Sequence, residues 1–199
     1  MKDMQTTTRE PAWRQAAVLT GAFVAVLWVL EVFDAATGHP LDAYGVQPRT
    51  DDGLVGIALA PVLHFGFDHL LSNTVPVLVL GFLTLATGIG RGLLATATIW
   101  VVGGFGVWVF APPGSNHAGA SILIFGWIVY LIVRGFYTKR SSEILIGVAV
   151  FLLYSGALLG VLPGQPGVSW QGHLFGAIGG FLAARMLTAR SRGAARVAY

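Results

Sequence analysis

The chain has 199 residues, 55% of them hydrophobic and 11% charged, with 12 Lys and Arg against 9 Asp and Glu for a formal net charge of +3. Soluble domains carry about 25% charged residues, so this composition excludes a water-covered surface and points to an integral membrane protein. The chain contains no cysteine, which excludes disulfides, a thiolate nucleophile and a Cys-ligated metal. Its basic residues are scattered rather than grooved, so no nucleic-acid partner is expected.

Residues 1–14 are polar and form an expected N-terminal tail. A membrane domain is expected over 15–189 and a basic C-terminal tail over 190–199. The apolar run Ala16 to Phe33 is broken only by Thr20 and Glu31. It exceeds a typical signal-peptide core and no small-residue cleavage site stands out, so a retained first transmembrane helix is predicted. Residues 34–63 mix Asp, Pro and Gly with an apolar stretch, and are expected to lie in the interface against the bundle.

Five further apolar runs follow near 69–87, 92–110, 119–137, 143–161 and 172–189, each close to the roughly 20 residues that cross a bilayer. Turn signals at Thr87-Gly88, Pro112-Pro113-Gly114, Lys139-Arg140-Ser141 and Pro163 to Gly167 separate them. The runs lack the alternation of barrel strands, and only helices otherwise satisfy the backbone in lipid. The expected fold class is therefore all-α, a polytopic bundle of six transmembrane helices.

Six spans put both termini on one side. Lys2, Arg9, Arg14, Arg91, Arg134, Lys139, Arg140, Arg185, Arg190, Arg192 and Arg196 fall there, and Arg49 alone falls opposite. The positive-inside rule then predicts a multi-pass cell-membrane protein with cytoplasmic termini. It also predicts that four polar side chains share one depth near the outer surface: Ser121, His173, His69 and Asn73.

Polar groups inside a membrane are costly and face the bundle or a wet cavity. A serine becomes a nucleophile beside a base, and His173 is the best-placed imidazole. No Asp or Glu lies in the fourth or sixth span, so a Ser–His dyad is expected. His69 and Asn73, spaced i, i+4 on one helix face, join the Ser121 N–H as donors to an oxyanion. Gly172, Gly176 and Gly180 recur every four residues, a pattern that lets a neighbouring helix approach closely. The sixth span is therefore predicted to pack its glycine face on the fourth, with Phe125 stacked on the His173 ring.

Here the chain resembles the rhomboid proteases in their bacterial six-helix form. His64, His69 and Asn73 match the family pattern H-x-x-x-x-H-x-x-x-N, Gly119 and Ser121 match its G-x-S-G, and His173 with Gly176 and Gly180 matches its last helix. Gly45 to Arg49 and Ala60 to His64 resemble its first loop. The resemblance covers most of residues 15–189. It implies hydrolysis, without a cofactor, of a peptide bond in or beside a transmembrane segment of a substrate protein in the lipid bilayer. It implies Ser121 and His173 as the catalytic pair, with His69, Asn73 and Gly119 around the oxyanion.

One position departs. The family glycine after the nucleophile is Ile122, whose bulk is expected to crowd a neighbouring helix or the substrate cleft, altering specificity. Two alternatives stand beside this reading. One is a non-catalytic relative that binds membrane helices, and the other a histidine-rich metal-binding or transport protein. The chain lacks H-E-x-x-H, and no metal site is expected. His64 is expected to brace the helix entry, His39 and His117 to be solvated loop residues, Glu31 to snorkel or bond within the bundle, and the tryptophans to form an interfacial belt.

Overall fold

A computed structural model describes residues 10–197, with side chains described for residues 10–188. The expected tail charges Lys2, Arg9, Arg190, Arg192 and Arg196 lie outside the described residues or side chains. The fold is all-helical. The described residues hold seven α-helices and no strand, only an isolated antiparallel bridge between Val46 and His117.

Helix α1, Ala12–Thr37, starts after Pro11 and ends where Gly38 turns left-handed at φ 86°, a conformation glycine adopts without a Cβ penalty. Its buried residues Ala16, Thr20, Val24, Leu27, Glu31 and Asp34 form one stripe. The opposite face exposes Val18, Val26, Val29 and Phe33, apolar side chains suited to lipid rather than water.

The connection beyond α1 is structured. A 3-10 turn, Pro40–Tyr44, leads to α2, Asp51–Leu59. The Thr50 side chain accepts the Gly53 N–H at 2.9 Å, and Asp51 and Asp52 occupy the first turn, where carboxylates complement the helix dipole. This segment lies against α4, Ile89–Phe110. Trp100 and Trp108 donate to the carbonyls of Ile57 and Thr50. Arg49 donates to the carbonyls of Val109 and Ala111 at 2.6 and 2.8 Å, satisfying the open end of α4.

Helix α3 runs Phe67–Ala86. Pro76 has no N–H to donate, and the ladder widens into π-helical turns over Val77–Gly81. Helix α5, Ser121–Thr138, is the central helix, with nearly every side chain from Ile122 to Leu131 buried. Trp127 belongs to this core and donates to Thr96, rather than lying in an interfacial belt. At the far end of α5, buried Arg134 forks onto Glu143 through two 2.8 Å bonds and donates to Tyr130.

Of six expected spans, four helices (α1, α3, α4 and α5) are, among the described residues, long and apolar enough to cross a membrane. Helix α6, Ser141–Tyr154, has 14 residues and stops short of the expected 161. Ser155-Gly156 interrupts it, and Ala157–Val161 tightens into a 3-10 turn. Helix α7, Trp170–Val197, has 28 residues and runs beyond the expected 189. Helix α7 packs most extensively on α5 and α4.

The α7 contact is made by glycines. A Cβ on Gly176 would stand 2.2 Å from the Ile122 carbonyl, and one on Gly180 would stand 2.0 Å from the Gly126 carbonyl. Backbone meets backbone at both points, as the four-residue spacing predicts.

Candidate active site

Ser121 is the first residue of α5, His173 the fourth of α7 and His69 the third of α3. The N-terminal turns of three helices therefore meet around one cavity of about 550 Å³. Ser121, His173, His69, Asn73, Phe125 and His117 all contribute to its wall, and no carboxylate among the described residues does. Its size lies within the range of small-ligand sites.

The turn before Ser121 is built on Gly119, whose φ of +123° is open to glycine alone. Its N–H donates to the Ala60 carbonyl at 2.8 Å. The next amide, Ala120 N–H, donates to Nε2 of His64 at 3.3 Å. His64 thus braces the turn before Ser121 from a buried position, 3% exposed. Burial and the neighbouring His69 push its pKa down to about 3, so it is a neutral acceptor, protonated on Nδ1.

His69 fills the space that Gly119 leaves. Its Nε2 lies 2.7 Å from where a Cβ on residue 119 would stand, and Ser121 Oγ lies 3.7 Å from the same point. The Phe65 N–H donates to His69 Nδ1 at 3.4 Å, which leaves the proton on Nε2, the nitrogen beside Gly119. Asn73 donates one N–H to the His69 carbonyl at 2.8 Å, and its amide has a second. The Ser121 and Ile122 N–H groups stand at the start of α5, where helix geometry provides no acceptor.

His173 is held on two sides. Its ring stacks on Phe125 with centroids 3.8 Å apart and planes 8° from parallel. Its Nδ1 lies 2.9 Å from the Gly160 carbonyl. A carbonyl only accepts, so Nδ1 carries the proton and Nε2 keeps its lone pair. That is the tautomer a general base requires. Among the described residues Ser121 Oγ makes no hydrogen bond, so no Ser121–His173 bond is formed in this structure.

Ile122 does not enter the cavity. It is 3% exposed and points into the α4–α7 seam, with Cγ2 2.3 Å from a notional Cβ on Gly103 and Cγ1 3.1 Å from one on Gly172. The expected crowding is thus confined to the helix seam, where two glycines absorb it, and the cleft is untouched.

His117 was expected to be a solvated loop residue and is not. Both ring nitrogens are engaged, Nδ1 with Ser169 Oγ at 2.7 Å and Nε2 with Ser115 Oγ at 2.8 Å, and burial lowers its pKa. Glu31, expected to snorkel or bond within the bundle, is buried, and its Oε1 has no partner among the described residues. It borders a small space shared with His64, whose Nδ1 is also unpartnered. The described groups that bring three potential metal-ligand atoms together are elsewhere, at Asp34, His39 and Asp42. There Asp34 accepts the Leu41 N–H at 2.6 Å and lies 3.0 Å from the His39 ring.

Comparison with known proteins bears on this arrangement. The Rhomboid domain family model matches residues 52–190. An uncharacterized protein of Mycobacterium tuberculosis is 45% identical over 194 residues, covering 94% of this chain and 81% of that protein. One of Mycobacterium leprae is 44% identical, covering 94% and 77% respectively. A Bacillus subtilis protein named rhomboid protease GluP is 32% identical over 176 residues, 86% of this chain but 34% of that larger protein.

Proposed function

Because the chain belongs to the Rhomboid family and is a multi-pass membrane protein, we propose that it is a serine endopeptidase cleaving peptide bonds in or beside transmembrane segments of other proteins. The family is generally one of serine proteases. The observation that carries the reading is His173: stacked on Phe125, bonded through Nδ1 to Gly160, and lining one cavity with Ser121.

In this mechanism Ser121 Oγ attacks the scissile carbonyl carbon while His173 Nε2 takes the hydroxyl proton. The negative oxygen of the tetrahedral intermediate is met by the Ser121 N–H, His69 Nε2–H and Asn73. The C–N bond then breaks, and His173 delivers its proton to the leaving amine. Water hydrolyses the acyl ester by the reverse proton path. Helical substrate must unwind first, because a helix hides its carbonyls in hydrogen bonds. No step calls for a cofactor.

Six spans, with both termini cytoplasmic and the cavity near the outer surface, belong to the same reading and rest on the eleven-to-one distribution of Lys and Arg. The helix-binding, non-catalytic alternative drew its support from Ile122, and the buried direction of that side chain takes the support away.

A fluorophosphonate probe tests the proposal without knowledge of the substrate. The protein in detergent should be labelled, and Ser121→Ala should not. Equal labelling of both proteins would overturn the assignment of the nucleophile.

A further inference from the structure

Each hydrogen in the bonds around His117 can be placed. The Ser115 hydroxyl donates to the Pro112 carbonyl at 2.6 Å. A hydroxyl has one hydrogen, so Ser115 Oγ accepts from His117, and Nε2 bears the imidazole proton. Nδ1 then holds a lone pair and accepts the hydroxyl proton of Ser169. Ser169 Oγ in turn accepts the Gly172 N–H at 3.2 Å, and the Ser169 carbonyl accepts the His173 N–H at 3.1 Å. The chain from Gly172 through Ser169, His117 and Ser115 to Pro112 is saturated, with every donor facing an acceptor. Only a neutral His117 fits it.

This chain joins the two halves of the site. His117 lies four residues before Ser121, and its backbone is pinned to Val46 by two bonds of 2.8 and 3.1 Å. Ser169 lies four residues before His173 and caps the turn on which that base sits. The two loops otherwise approach from segments 52 residues apart.

We propose that His117 and Ser169 are positioning residues for the reaction assigned to Ser121 and His173. Their hydrogen bond fixes the first turn of α7 against the segment that delivers the nucleophile, and so sets the spacing of the dyad. The inference rests on the serine endopeptidase reading. Its physical basis is that small misplacements of reacting groups are costly in rate.

The experiment uses the full chain in detergent with a cleavable model transmembrane substrate. His117→Ala and Ser169→Val should each lower kcat by about ten- to a hundredfold while KM moves by less than about twofold. The double variant should be no slower than the worse single one, because both break one link. Ser169→Thr, which matches Val in shape but keeps the hydroxyl, should restore the rate, as should His117→Gln, which keeps an acceptor and a donor. Multiplying losses, an unchanged kcat in the single variants, or equal rates for Val and Thr at residue 169 would each overturn the proposal.

Amide hydrogen exchange supplies a readout independent of activity. In His117→Ala the Gly172 and His173 amides should exchange several-fold faster, as loss of one net hydrogen bond implies. Unchanged exchange there refutes the tether even if the protein proves inactive. Cleavage that persists in Ser121→Ala refutes the proposed reaction and leaves the exchange result to judge the tether.

Discussion

Ile122 on α5 and Gly103 on α4 share one space: the isoleucine Cγ2 methyl lies 2.3 Å from where a Cβ on residue 103 would stand. The larger residue on one helix is matched by the absence of a side chain on the other. In lipid, helix association depends on such packing rather than on expulsion of water.

That match predicts coupled mutants. Gly103→Ala should destabilise the bundle by about 1–3 kcal/mol through overpacking, and Ile122→Ala by about 2–5 kcal/mol through an unfilled cavity. The double variant should lose less than the sum, as read from unfolding in mixed micelles. KM should hardly move in Ile122→Ala, because the side chain is absent from the cavity wall.

Asn73→Ala should reduce kcat by about a hundredfold, the usual consequence of losing one oxyanion donor, with KM nearly constant. Steady-state cleavage of a model transmembrane substrate measures it. A rise in KM at constant kcat would move Asn73 from transition-state stabilisation to substrate binding.

Gly119→Ala should abolish turnover. The residue sits at φ +123°, and an added methyl would stand 2.6 Å from His69 Cε1. Backbone strain alone costs about 1–3 kcal/mol, and the imidazole must move as well. Loss of probe labelling with the bundle still folded is the expected result.

His64 gives stability a pH dependence of known sign. Its pKa falls from 6.5 when solvated to about 3 in the fold, so the unfolded chain binds more protons between those values. Its contribution is complete above about pH 6.5 and declines as pH falls towards 3, by about 1.4 kcal/mol per pH unit at most. Thermal midpoints across this range should drop less steeply in His64→Gln than in the parent chain.

Arg134→Ala should cost about 3–5 kcal/mol, because it strands a partly buried Glu143 and removes a fork of two hydrogen bonds. Labelling of Ser121 in the folded fraction should persist, since the pair lies at the opposite end of α5.

Ser121, His173, His69 and Asn73 were legible in the sequence because each interrupts an apolar run, where an uncompensated polar group is expensive. The glycine spacing of α7 was legible for a similar reason: a four-residue repeat of missing side chains implies a close neighbour. His117 and Ser169 were hidden because they lie in loops, where polar residues are ordinarily solvated, and their partnership spans 52 positions. The direction of Ile122 was equally hidden. It depends on the rotation of α5, and nothing in the run 92–110 marks Gly103 as its complement. Helix α6 was overestimated because the apolar pattern continues to 161, while the chain changes to a tighter helix after Gly156.

In the proposed reaction, the meeting of three helix N-termini at one cavity bears on how the site would hold negative charge. Peptide dipoles supply a positive potential, and among the described residues no Lys or Arg lines the wall. A potential from peptide dipoles does not titrate. The affinity for a developing oxyanion should therefore be constant across the alkaline range, where a lysine-based site would fade. A lysine at that depth would also have to shed its hydration shell, a cost that oriented amides never incur.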